Sequence, residues 1–311
     1  MEYRQLGRSG LRVSAIGLGT NQFGGKVDQA GVNNIIDAAI DLGINLIDTA
    51  DGYTKGQSET TLGVALKGKW DKVVMATKVY NPTGDGPNDY GSSRYHIING
   101  VDACLKRLQS EHIDLLQLHR YDATAPLDEV LRALDDLVSA GKIRYIGASN
   151  YMAWQLAEAN SLAEQHGWTR FISVQNHYHM FERDIEREVL PYCKARNVGI
   201  LPYFPLAGGF LTGKYRRGEA APAGSRGESS PYVQKYMTDK NYDRVEALAA
   251  WAEERGRTMG ELAHAWLLAH PEVSSVISGA TKLEQIQANA ASASWQLSKD
   301  DLDAVNKLLE G

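Results

Sequence analysis

Eight short apolar runs, each followed by a segment of helical period, leave few folds open to this chain. The runs are Ala15–Thr20, Ile44–Asp48, Val73–Thr77, Ile113–Leu118, Ile143–Ala148, Phe171–Gln175, Val198–Tyr203 and Val273–Ser278. They are continuous rather than alternating, as expected of parallel strands covered on their outer face. Between them the period changes. Val32, Ile35, Ile36, Ala39 and Ile40 fall on one face of an amphipathic helix that Gly43 ends. Further helices are expected near 58–66, 93–108, 127–140, 152–166, 183–196, 242–256, 259–269 and 283–290. Ser298 and Asp301 cap a last one running to Leu309. Eight strand–helix units favour an α/β chain closed as a (β/α)8 TIM barrel over an open doubly wound sheet. Tyr3–Ser14, centred on Gly7-Arg8-Ser9-Gly10, adds an N-terminal β-hairpin, expected at the barrel's closed end. Ala207–Asp239, with its glycines and prolines, predicts a long functional loop. No linker, repeat or low-complexity tract interrupts residues 1–311, so a single domain is expected.

Composition narrows the partners. The formal net charge of -5, Lys+Arg 33 against Asp+Glu 38, provides no basic field for nucleic acid. No run approaches the roughly 18 apolar residues of a membrane span, and MEYRQLGRSG is no signal segment. Cys104 and Cys193 lie in helix-like segments and read as reduced thiols. A cytoplasmic protein is expected; homo-oligomer formation stays open.

The chemistry gathers at strand ends, where barrels of this kind build their sites. Ile44–Ile47 leads to Asp48, and the turn after it presents Tyr53; the third run ends at Lys78 and the fourth at His119. A tyrosine is a poor acid near neutrality, but a cation beside it favours the phenolate and is expected to lower its pKa. Lys78 is a candidate for that cation, Asp48 for its counter-ion, and His119 for a donor orienting the same substrate oxygen. The set has no nucleophile–base pair and no metal triad. It polarises a carbonyl and needs a source of hydride. Gly17-Leu18-Gly19 is not a dinucleotide fingerprint, because Gln22 breaks the spacing.

The segments IDTADGYTKGQSE (47–59), ATK (76–78) and LQLH (116–119) together resemble the catalytic tetrad of the aldo-keto reductase superfamily. The likeness covers nearly the whole chain and extends to the potassium-channel β-subunit branch. It implies Tyr53 as general acid, Lys78 as its pKa modulator, Asp48 as partner of Lys78 and His119 as substrate-orienting donor, acting on a small-molecule carbonyl. It implies NADPH as cofactor. Ser149, Asn150 and Gln175 would hold the nicotinamide carboxamide, and Tyr203 would stack on the ring. Phe204 stands where the family often has a hydroxyl, and the backbone amides of Leu206 and Gly208 would cradle the pyrophosphate. Lys214, in LTGKY, and Arg226 would meet phosphates. Gly279, Thr281, Lys282, Gln285 and Asn289, in ISGATKLEQIQAN, would form the adenosine-phosphate site, with Ala288 replacing the usual glutamate. The cationic groups near a 2′-phosphate favour NADPH over NADH.

Asn21, Gln22, Tyr80 and Arg120 are candidate substrate contacts. Relatives often carry an aromatic where Asn21-Gln22 stands, so a more polar, hydroxylated or sugar-like carbonyl is expected. Two other readings compete: a cofactor-binding regulatory module like the channel β subunits, and a Schiff-base enzyme with Lys78 as nucleophile. His177 and His179 have metal-ligand spacing but no evident third ligand, so no metal is expected.

Overall fold

A computed structural model describes residues 1–310. The eight expected strands form one parallel sheet: Ile16–Gly19, Leu46–Asp48, Val74–Val79, Ile113–Leu118, Ile143–Ser149, Ser173–Gln175, Gly199–Ile200 and Val276–Gly279. We number them one to eight. Strand eight pairs with strand one, and the rest follow in chain order to strand seven. Single bridges at Ile200–Val273 and Tyr203–Ile277 close the gap between strands seven and eight. Closure removes the free edges that an open sheet would leave. The fold is a (β/α)8 barrel.

Strand period divides the core in two. Leu46, Val74, Ala76, Leu115, Leu201 and Ile277 fill the barrel together with Leu6 and Val13 of the N-terminal hairpin. The opposite faces, among them Ile47, Met75 and Leu116, pack outward beneath helices such as Gln29–Asp41, whose Val32, Ile35, Ile36 and Ala39 are buried. The hairpin, Tyr3–Gln5 with Arg12–Ser14, sits over the N-terminal ends of the strands. At its turn Gly7 has φ +53°, and a Cβ there would lie 2.1 Å from the Ile172 carbonyl oxygen. Only glycine permits that approach. The chemistry is left to the other end.

Two expectations need correction. The helix expected over 183–196 is broken into a 3-10 turn, Asp184–Glu186, and a helix, Val189–Arg196. Restarting at Val189 puts Pro191 in the first turn, where no intrahelical N–H is needed; a continuous helix would have held it in the interior. The segment 207–239 is not one irregular loop. It carries a kinked 3-10 stretch, Ala207–Thr212, and short helices at Arg226–Ser229 and Pro231–Gln234. Cys104 and Cys193 are free and buried. Among the described residues no helix is long and apolar enough to cross a membrane.

Candidate active site

The inward face of the barrel turns polar in its last layer. Leu46, Ala76 and Leu115 point inside, and two residues further along each strand come Asp48, Lys78 and Gln117. Gln175, at the end of strand six, joins them. Lys78 is fully buried. Its Nζ donates to Asp48 Oδ2 at 2.6 Å and to the Thr49 carbonyl at 2.8 Å. Asp48 Oδ1 accepts from Gln117 Nε2 at 3.0 Å and from Gln175 Nε2 at 2.9 Å. Desolvating a charge costs several kcal/mol unless partners compensate, and these partners do so for both ions.

The third donor direction of Lys78 is aimed at Tyr53, with Nζ 3.4 Å from the phenol oxygen. Tyr53 opens a tight turn in which Thr54 and Lys55 take left-handed φ of 48° and 56°. Thr54 Oγ1 holds this unusual backbone by donating to the Phe23 carbonyl at 2.7 Å. Burial raises the Tyr53 pKa, and the Lys78 charge opposes that rise without overcoming it. This corrects the expected net depression: desolvation of the phenolate outweighs the attraction of one lysine. Burial by itself would lower the Lys78 pKa, but Asp48 and Tyr53 bring it above its usual value. An ammonium so held is no nucleophile, which counts against the Schiff-base reading.

His119 follows strand four with its ring edge-on to Tyr53, centroids 5.9 Å apart. Burial, then the charges of Lys78 and Arg120, depress its pKa to about 3, so the ring is neutral. Asn81 Nδ2 lies 2.9 Å from His119 Nδ1. Because the amide nitrogen only donates, Nδ1 accepts and the proton resides on Nε2. A protonated phenol and a neutral imidazole N–H thus stand side by side.

Asp48, Tyr53 and His119 form part of the wall of a cavity of about 1070 Å³ that also reaches Thr281, Gln285 and Asn289 after strand eight. That volume is at the upper end for a small-molecule or cofactor site. The residues after strand seven make a backbone cradle. Phe204, Ala207, Gly208 and Gly209 all have positive φ, and the Lys214 side chain lies against Gly209. A Cβ at Gly209 would lie 2.7 Å from Lys214 Nζ. Successive turns of this kind present N–H groups suited to an anion.

The sequence matches the model of the aldo/keto reductase family over residues 15–310. The chain belongs to that family. An oxidoreductase of Bacillus subtilis, YrpG, is 36% identical over the whole chain and 97% of its own length. A probable voltage-gated potassium channel β subunit of Arabidopsis thaliana is 38% identical over 93% of this chain and 90% of its own. Versiconal hemiacetal acetate reductase of Aspergillus parasiticus is 36% identical, covering 97% and 95% respectively. Membership makes the chain an oxidoreductase of the carbonyl-reducing kind.

Of the residues that the likeness to the aldo/keto reductases singled out, most meet at the cavity. Asn21, Gln22, Arg120, Ser149, Asn150, Gln175, Tyr203, Phe204, Leu206 and Gly208 line it, as do Lys214, Arg226, Gly279, Thr281, Gln285 and Asn289. Lys78 stands behind Tyr53 rather than on the wall. Tyr80 and Lys282 do not line the cavity. Tyr80 turns its backbone N–H to Asp51, and Lys282 is an exposed residue preceding the helix Leu283–Ser292. Ser149 donates to the Gln175 carbonyl, and Tyr203 Oη donates to Asn150 Oδ1 at 2.9 Å. Arg226 lies 5.6 Å over the Phe204 ring.

His177 and His179 serve the aromatic packing. His177 stacks on Tyr203 with centroids 5.3 Å apart, and His179 Nε2 lies 3.2 Å from Tyr236 Oη. Sequence reading missed Asn81 and Gln117. Gln117 had a signal, since it shares the inward face with Leu115 on a strand already identified. Asn81 had none, because its role depends on a loop returning to His119.

Proposed function

We propose that this chain is an NADPH-dependent reductase converting an aldehyde or ketone to an alcohol. The observation that carries the reading is the Lys78 ammonium, 2.6 Å from Asp48 and 3.4 Å from the Tyr53 phenol, beside the neutral His119 ring. Bound NADPH supplies the hydride. Tyr53 gives its proton to the carbonyl oxygen as the carbon is reduced, so the C=O double bond becomes C–H and O–H. Lys78 stabilises the phenolate left behind, and Asp48 keeps Lys78 charged and in place. His119 Nε2–H donates to the same oxygen and orients the carbonyl.

Tyr203 offers a flat face for the nicotinamide, and Ser149, Asn150 and Gln175 offer polar groups beside it. The cradle at 204–209 with Lys214 suits a pyrophosphate. Arg226 supports NADPH over NADH: it has no carboxylate within 4.0 Å among the described residues, and burial lowers its pKa. A phosphate dianion would supply the missing counter-charge. The polar Asn21 and Gln22 favour a polar carbonyl over an aromatic one. We place the activity in one domain, in the cytoplasm.

A second reading, a cofactor-binding module in which turnover is incidental, is favoured by the relatives named as channel subunits. One variant separates them. Tyr53→Phe is expected to lower kcat for carbonyl reduction by about 10²- to 10⁴-fold, while NADPH still quenches the protein fluorescence. Reduction by Tyr53→Phe at the parental rate would remove Tyr53 as the acid. A parent that binds NADPH but turns over no carbonyl would favour the module.

A further inference from the structure

We propose that the substrate carbonyl belongs to a small anion, a carboxylate- or phosphate-bearing aldehyde or ketone, whose charged group is bound by Arg120. The proposal deepens the reductase reading and rests on it. Arg120 directly follows His119 and lines the same cavity. It is close enough to the reacting groups for its charge to contribute to the low pKa of His119, behind burial and Lys78.

Arg120 lines the cavity without a carboxylate partner among the described residues, whereas other arginines of the surface are paired. Arg94 binds Asp136, Arg144 binds Asp114 and Arg217 binds Asp243. No carboxylate of the described residues comes within 4.0 Å of Arg120. Nor does the cavity wall have one to spare. Asp48 is committed to Lys78, while Glu261 is held by Arg257 and by the Thr258 cap. Lys26, also on the wall and without an ion pair among the described residues, adds to the positive potential. The nearby Asn21 and Gln22 are polar and neutral.

A guanidinium presents a planar fork that matches a carboxylate or phosphate in two hydrogen bonds. One placed beside the orienting imidazole selects substrates whose anionic group lies a few atoms from the carbonyl. It also draws such substrates toward a protein whose overall charge is -5. A charge-assisted hydrogen bond adds to selection by shape, because only the charged member of a substrate pair can form it.

The test uses two substrate pairs at constant ionic strength with saturating NADPH: 4-oxobutanoate against its methyl ester, and glyceraldehyde 3-phosphate against glyceraldehyde. For the parent, kcat/KM is expected to favour the charged member of at least one pair by about 10- to 100-fold. The pair showing it separates carboxylate from phosphate. In Arg120→Ala the preference should collapse, and Arg120→Lys should keep part of it. Equal rates within both pairs, or a preference that survives Arg120→Ala, would overturn the proposal. So would a tenfold weakening of NADPH binding in Arg120→Ala, which would assign Arg120 to the cofactor. Butyrate and butyramide are also titrated into the NADP+ complex by NMR. If none of the four carbonyls is reduced, butyrate binding that depends on Arg120 retains the anion site and sinks the reductase reading. Loss of both sinks the anion site as well.

Discussion

Asp48 and Lys78 sit on adjacent strands, buried, with every polar atom of the pair engaged by a neighbour. Across the same cavity the cradle at Phe204–Gly209 rests on a kinked 3-10 stretch, and Lys214 is exposed. The first region is fixed by the barrel, so its groups have one arrangement. The second is fixed by backbone angles that few residues adopt. Proton transfer requires the former, since a displacement of 1 Å is costly there. A cofactor that enters and leaves suits the latter, because loops adjust at smaller cost.

The largest effect should come from the rigid region. Lys78→Met leaves the Asp48 carboxylate buried beside Gln117 and Gln175 without its counter-ion. Breaking a buried pair in this way costs about 3–5 kcal/mol, a fall in Tm on the order of 10 °C by calorimetry. Turnover should be lost as well. The double variant Asp48→Asn with Lys78→Met should recover most of the Tm and none of the rate, which separates folding from catalysis. An unchanged Tm for Lys78→Met would mean that the barrel's last layer is open to water.

The cradle should give the opposite split. Gly209 has φ +101°, and an alanine Cβ would press on Lys214 Nζ and Cε at 2.7 Å. We expect Gly209→Ala to cost about 1–2 kcal/mol in stability. NADPH affinity should weaken by about tenfold, the equivalent of one lost phosphate contact. The defect should appear in KM for NADPH and be relieved by raising its concentration. A fall in kcat that saturating cofactor does not relieve would show that the cradle also positions the reacting end.

The same contrast explains what could be read in the sequence. The eight strands were legible because each is an apolar run long enough to stand out, and Asp48, Lys78 and His119 because they end such runs. Strand period also made Gln117 readable, although the charged residues drew attention first. Asn81 was not legible: its amide meets His119 through a loop whose course no local pattern specifies. Lys282 and Tyr80 stand outside the cavity lining, which a position in a motif does not reveal. The Tyr53 pKa was misjudged because the lysine is visible in sequence and the depth of burial is not. The 207–239 segment was recognised by composition alone, and composition does not reveal that its glycines bend a 3-10 stretch into a cradle.

The smallest effect concerns His119, whose ring is held by Asn81 and whose carbonyl accepts from Asn150 Nδ2 at 3.0 Å. With a pKa of about 3 in the folded protein, the ring stays neutral from pH 5 to 8. The profile of kcat/KM should therefore show no limb from His119 in that range. A limb near pH 6.5 that vanishes in His119→Asn would contradict this. Stability carries the sign: the unfolded chain binds a proton on this histidine below about pH 6.5 and the folded one does not. The contribution is thus fully present above pH 6.5 and is lost as pH falls toward 3. Asn81→Ala frees Nδ1 and lets the ring place its proton on either nitrogen, so a fraction of molecules lack the Nε2–H donor. We expect a loss of about threefold to tenfold in kcat/KM. NMR of the imidazole nitrogens reads the tautomer directly. A ring that keeps its Nε2–H form in Asn81→Ala would place the control of His119 in the field of Lys78 and Arg120 instead.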